Sequence, residues 1–158
     1  MMRNYLLAGD IGGTNSRLAL YLGPTDVSQD ATEPKYKEAL YSKKYRNTEY
    51  VSEYGSKAFN HILDDFLQEA KSCFLIDGNE CQNCFIAACF ACAGPIMDNA
   101  CEFTNIDHDA NLKFVIRGDD IRDSEDGYKK LIKVRRITLC LILYSIPFEN
   151  IEFSFFVC

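Results

Sequence analysis

A chain of 158 residues with 47% hydrophobic and 25% charged side chains has the length and balance of one soluble globular domain rather than of a low-complexity chain. Its net charge of −6 and pI near 4.9 argue against nucleic-acid binding, for which a basic face is expected. Met1-Met2-Arg3-Asn4-Tyr5 runs directly into apolar residues without a signal-peptide core, so the expected compartment is the cytoplasm, with the eight cysteines as reduced thiols.

In chain order, residues 5–21 read as a strand, a glycine turn and a second strand. Tyr5 to Ala8 and Leu18 to Tyr21 flank Gly9-Asp10-Ile11-Gly12-Gly13-Thr14-Asn15. Paired glycines allow positive φ and close approach of backbone to a ligand. Exposed N–H groups among small residues suit a phosphate. An Asp at the end of the first strand can hold a metal ion through its water. The run lacks the Lys of a Walker loop. It also returns to a strand, where a dinucleotide fingerprint would open a helix. A plain glycine-rich hairpin is the alternative.

Gly23-Pro24-Thr25-Asp26 signals a turn, and residues 26–37 a polar surface excursion. Residues 40–45 alternate weakly, as a third strand would, and residues 46–49 read as a linker. Over residues 51–71 Ala58, Ile62, Phe66 and Ala70 recur at helical spacing beside Phe59, Leu63 and Leu67, with Thr48 or Ser52 available to cap the start. Residues 73–83 read as a loop and residues 85–93 as a buried strand closed by Gly94-Pro95. Cys81-x-x-Cys84 and Cys89-x-x-Cys92 have metal-like pairs, but only four residues separate them, where zinc ribbons leave about 15–20. Residues three apart on a strand also face opposite sides, so buried structural thiols are favoured over zinc. Beyond the strand, Thr104 and Asn105 offer a hydroxyl and an amide suited to sugar hydroxyls or to an ordinary turn. The basic cluster at residues 129–136 reads as a solvated helix end. Residues 137–158 are apolar and β-prone, and Pro147, Glu149, Asn150 and Glu152 leave too short a run for a membrane helix, which needs about 20 apolar residues.

The Asp-Ile-Gly-Gly-Thr-Asn run, with Arg17-Leu18-Ala19 after it, resembles the first phosphate motif of the bacterial-type glucokinases, sugar kinases of the actin-like ATPase superfamily. Ala91-Cys92-Ala93-Gly94-Pro95 followed by Thr104-Asn105 resembles the sugar side of that family. Phe114 to Ile121 is similar to its Trp-x-Ile strand and the Gly-x-x-Leu helix start after it, with a slightly longer link before it. The resemblance implies an α/β fold with a mixed sheet, of the actin-like (ribonuclease H-like) kind. The chain would be the N-terminal small domain of a two-domain sugar kinase. It also implies ATP and Mg2+ as cofactors, glucose or a related hexose as substrate, no nucleic-acid or membrane partner, and homodimers in the full-length family. Carried over by position, Gly9, Asp10, Ile11, Gly12, Gly13 and Thr14 line the triphosphate. Asp10 contacts the metal through water, and Thr104 and Asn105 border the hexose.

The likeness stops at residue 137. There the family continues into Asn-Asp-Phe, whose Asp is the general base. Here Ile137 is followed by Thr138-Leu139-Cys140-Leu141-Ile142-Leu143, with no carboxylate before Glu149. No catalytic base is therefore assigned. The expected division is a glucokinase-type domain at residues 1–137 and an unrelated apolar tail at residues 138–158, as a truncated or mis-assembled gene product would show. A non-catalytic ATP- or sugar-binding relative, and another sugar or acyl-phosphate kinase of the superfamily, are the alternatives.

Overall fold

The computed structural model of the chain describes residues 3–23, 38–76, 79–80, 84–103, 113–123 and 133–141. Strands β1 (Arg3–Ile11) and β2 (Asn15–Leu22) form an antiparallel hairpin in which Tyr5 lies opposite Leu22 and Ile11 opposite Ser16. Alternation drives it: Ser16, Leu18 and Leu20 are buried while Arg17 between them is exposed. Strand β3 (Tyr41–Arg46) adds antiparallel to β2, and Tyr45 is its buried residue.

Helix α1 (Asn47–Tyr54) follows without a break, so the linker expected at residues 46–49 is instead the end of β3 and the first turn of α1. The single helix expected over residues 51–71 is divided. Gly55, at φ 56° and ψ −128°, ends α1 in a conformation closed to most L side chains. A 3₁₀ turn (Gly55–Lys57) then leads into α2 (Ala58–Glu69). Neither Thr48 nor Ser52 caps α1: its N-cap position is Arg46, with no side-chain cap bond, and the Ser52 hydroxyl donates to the Glu49 carbonyl inside the helix. The apolar set is as expected, with Ala58, Phe59, Ile62, Leu63, Phe66, Leu67 and Ala70 all buried.

Within the loop expected at residues 73–83, a 3₁₀ turn (Ala70–Phe74) ends and two short antiparallel strands pair, β4 (Leu75–Ile76) and β5 (Asn79–Glu80). Strand β6 (Cys84–Cys92) runs parallel to β1, bringing Ile11 level with Cys92. A second, three-stranded antiparallel sheet follows, made of β7 (Ile96–Met97), β8 (Ala100–Phe103) and β9 (Phe114–Arg117). Asp98 and Asn99, at φ 50° and 53°, close β7 onto β8 in a two-residue turn with both central residues left-handed. Helix α3 (Gly118–Asp123) leads towards β10 (Lys133–Leu141), which lies parallel to β6. Residues 133–136 of the basic cluster are thus strand, not a helix end, because pairing with β6 takes their backbone. The same strand runs through residue 137 to Leu141.

The main sheet has the order β10-β6-β1-β2-β3, three antiparallel strands joined to parallel ones, as expected for the mixed sheet. One core unites the layers. Phe59 of α2 meets Phe90 of β6 edge-on (centroids 5.1 Å, 83°) and Phe114 of β9 at 6.2 Å, so the helix is wedged between the two sheets.

Candidate functional site

The glycine turn closes the β1–β2 hairpin, with the Gly12 N–H donating to the Asn15 carbonyl at 2.9 Å. Neither Gly12 nor Gly13 takes the positive φ expected of the pair; among the described glycines only Gly55 does. Their use here is the missing side chain. A concavity of about 400 Å³ opens over the turn, lined by Asp10, Gly12, Gly13, Thr14, Asn15, Arg17 and Lys44. Its size falls in the range of roughly 300–1,000 Å³ usual for small-molecule sites.

The charged lining comes from strand register. Asp10 of β1 lies opposite Arg17 of β2, and Arg17 opposite Lys44 of β3, so the three stand side by side on one face. Among the described residues these three form no ion pair. Lys43, on the other face of β3, is by contrast paired with Glu69 of α2. Glu69 also accepts from the Tyr41 and Tyr45 hydroxyls. Burial opposes ionisation of Glu69, but the hydrogen bonds from Lys43 and Tyr41 outweigh it and hold the carboxyl below its ordinary value. The same bond pushes the Tyr41 hydroxyl up to about 12.

Of the residues expected to line a triphosphate, Asp10, Gly12, Gly13 and Thr14 face the concavity. Gly9 and Ile11 support it from behind: Ile11 is fully buried, and Gly9 packs against Phe90 and Leu18. Thr104 and Asn105 lie outside the described residues. The segment leading to them is described as far as Phe103. It leaves β6 beside the turn, where the Ala93 N–H donates to the Ile11 carbonyl at 2.9 Å. The glycine turn and the exit of β6 thus share one end of the sheet, the carboxyl ends of parallel strands where α/β sheets form ligand sites.

Sequence reasoning missed Lys44 and Asn47. Lys44 carries no motif, and only its register with Arg17 brings it to the cleft. Asn47 is fully buried at the start of α1. Its side-chain NH2 donates to the carbonyls of Gly12 (2.7 Å) and Gly13 (3.1 Å), and its oxygen accepts from the Ser16 hydroxyl at 2.7 Å. The signal available was an Asn at a strand-to-helix junction, which by itself suggests only a cap.

Cys89 and Cys92 both belong to β6 and project to opposite faces. Burial pushes the Cys101 thiol up, against an opposing hydrogen bond with Cys92. Among the described residues no group of three His, Cys, Asp or Glu side chains converges on a metal position, and no helix is long and apolar enough to cross a membrane.

Comparison with known proteins places most of this hairpin, β3, α1, α2, β6 and the three-stranded sheet in one family. The glucokinase family model matches residues 7–117, most of the chain. The chain belongs to the glucokinase family. It is 34% identical over 101 residues to a glucokinase of Synechocystis sp., a match that takes in 64% of this chain and 24% of that protein. The chain therefore spans about a quarter of the length of that curated glucokinase. Among solved structures it is similar to a glucokinase from an Antarctic psychrotroph, with a TM-score of 0.50 and 18% identity over 85% of this chain and 32% of that one. A glucokinase from Balamuthia mandrillaris, solved in complex with glucose, matches at a TM-score of 0.44 and 21% identity, over 86% of this chain and 30% of that one. The first likeness agrees with the actin-like α/β fold of the mixed sheet.

Proposed function

We propose that this chain carries the phosphate-binding wall of a glucokinase site, whose reaction is ATP-dependent phosphorylation of glucose to glucose 6-phosphate. The observation that carries the reading is the cleft over residues 10–15, in which a side-chain-free glycine pair is flanked by one carboxylate and two cations without ion pairs among the described residues. A magnesium triphosphate needs that donor set. Arg17 and Lys44 offset its negative charge, the Thr14 hydroxyl and turn amides donate to phosphate oxygens, and Asp10 holds the cation through a water. Gly9 and Ile11 set the turn's height above the core. Bound there, MgATP supplies the phosphoryl group to be transferred. Phosphoryl transfer depends chiefly on positioning and charge stabilisation, which is what this wall provides.

The hexose would bind against Thr104 and Asn105. A soluble, cytoplasmic protein with neither nucleic acid nor membrane as partner accords with this role, as do homodimers in the full-length family. The division into residues 1–137 and a tail from 138 remains part of the same reading, and β10 would be the strand that spans the join.

The absence of any carboxylate between Ile137 and Glu149 favours a second reading for the chain as given, a binder of MgATP without turnover. Titration calorimetry with MgATP, together with a coupled assay for glucose 6-phosphate, separates the two. Saturable MgATP binding without product supports the phosphate wall and the missing base. Turnover at an ordinary kinase rate refutes the missing base, and no MgATP binding refutes the phosphate wall.

A further inference from the structure

Asn47 turns both amide N–H donors, its amide oxygen and its backbone N–H to the glycine turn and its flank. Two carbonyl oxygens, of Gly12 and Gly13, can be met only by its NH2 group, which fixes how the amide is turned. The remaining oxygen then faces the Ser16 hydroxyl, which is buried with it. The Asn47 backbone N–H donates to the Thr14 carbonyl at 2.9 Å. Three consecutive carbonyls, of Gly12, Gly13 and Thr14, are thus drawn to one residue. Among the described residues there is no cis peptide, and in a trans peptide the C=O and the following N–H point in opposite directions. Fixing those carbonyls towards Asn47 therefore turns the N–H groups of Gly13, Thr14 and Asn15 away from it.

From this geometry we infer that Asn47 is a positioning residue for nucleotide binding, a buried clamp that presents the amides of Gly13, Thr14 and Asn15 to phosphate oxygens. The inference rests on the phosphate reading of the cleft. It adds the reason a turn without left-handed glycines can still act as an anion cradle. An unclamped glycine pair samples many backbone orientations, in most of which a carbonyl competes with the amides for the cleft. A carbonyl facing a phosphate would repel it. The clamp removes that state before the ligand arrives, so less ordering is left for the binding step.

The test uses the 158-residue chain and MgATP as the probe. Asn47→Asp keeps the size and the acceptor for Ser16, but its carboxylate cannot donate to Gly12 and Gly13. Asn47→Ala removes every side-chain bond. Ile62→Val in α2 serves as a control destabilised in the core, away from the turn. Both Asn47 variants are expected to weaken MgATP binding by roughly 10- to 100-fold, while Ile62→Val leaves affinity unchanged. In the ligand-free protein, amide hydrogen exchange or NMR shifts of Gly13, Thr14 and Asn15 change in the Asn47 variants and not in the control. Should Asn47→Ala fail to fold, Ser16→Ala, which frees only the Asn47 oxygen, is expected to weaken binding in the same direction by a smaller factor. Wild-type affinity in an Asn47 variant, or in Ser16→Ala where the Asn47 variants do not fold, overturns the clamp and leaves the phosphate reading intact. A wild-type chain that does not bind MgATP overturns that reading and the inference with it.

Discussion

Gly9 and Gly12 stand three residues apart in the same motif, and the structure predicts opposite consequences for replacing each with alanine. Gly9 lies in the body of β1 with ordinary strand backbone. A Cβ there would meet Phe90 Cδ1 at 2.6 Å, Leu18 Cδ2 at 2.9 Å and Ile11 Cδ1 at 3.1 Å. Phe90 is fully buried and braced edge-on by Phe59, so the ring has no free space to swing into. Overpacking of this kind costs about 1–3 kcal/mol, while removing a glycine from the unfolded chain returns about 0.4–1 kcal/mol. Two contacts under 3.0 Å place Gly9 in the upper part of the overpacking range, so the net expectation for Gly9→Ala is a loss of about 1–2.5 kcal/mol, seen as a fall in Tm of roughly 2–10 °C for a chain of this length. At Gly12 the added Cβ would meet only the Asn15 carbonyl oxygen, at 3.5 Å, an ordinary contact. Gly12→Ala is therefore expected to leave stability unchanged or raise it by up to about 1 kcal/mol. It places a methyl group in the cleft, however, and should weaken MgATP binding roughly tenfold or more. Denaturation monitored by circular dichroism reads the first quantity and calorimetric titration the second. If Gly12→Ala destabilises as much as Gly9→Ala, or if Gly9→Ala is neutral, the division of the motif into a packing glycine and a cleft glycine is wrong.

Three further outcomes follow from the packing and the charges. Glu69 has a lowered folded pKa, so the unfolded chain takes up its proton first. The contribution of Glu69 is complete above its ordinary value of 4.5 and is lost as pH falls through the lower folded value. Glu69→Gln should accordingly flatten the acid limb of a Tm-against-pH profile, and an unchanged acid limb would contradict this. Asn99, left-handed at φ 53°, should accept glycine within a few tenths of a kcal/mol, whereas alanine costs about 1 kcal/mol, measured by urea unfolding. Phe66 is fully buried on α2 and contacts the Tyr41 ring at 5.3 Å, so Phe66→Ala should lose about 3–5 kcal/mol, and a loss under about 1 kcal/mol would mean the helix is not seated as described.

Much of the fold is legible in the chain. The hairpin, β3, the buried strand β6 and the buried face of α2 follow from apolar periods of two and 3.6, because those periods state which side of an element faces the core. The break at Gly55 does not follow. Val51 and Ala58 keep nearly in phase across it, and a glycine inside a helical pattern does not announce whether the helix continues. Strands as short as β7 and β8 have too few residues for any period to register. The cleft was half legible. The glycine motif and Asp10 are local and could be read, whereas Lys44 and Asn47 arrive from β3 and α1, about thirty residues on.

The local chemistry of the site belongs to the sequence alone: small residues in a turn, a carboxylate at a strand end, a threonine hydroxyl, and no carboxylate between Ile137 and Glu149. Only the tertiary structure decided what those groups face. Antiparallel register set Arg17 and Lys44 beside Asp10, since cross-strand neighbours share a face whatever their distance along the chain. The seating of α1 against the hairpin converted Asn47 from a junction residue into the partner of three carbonyls, because a buried amide must find its hydrogen bonds in whatever backbone the fold lays against it.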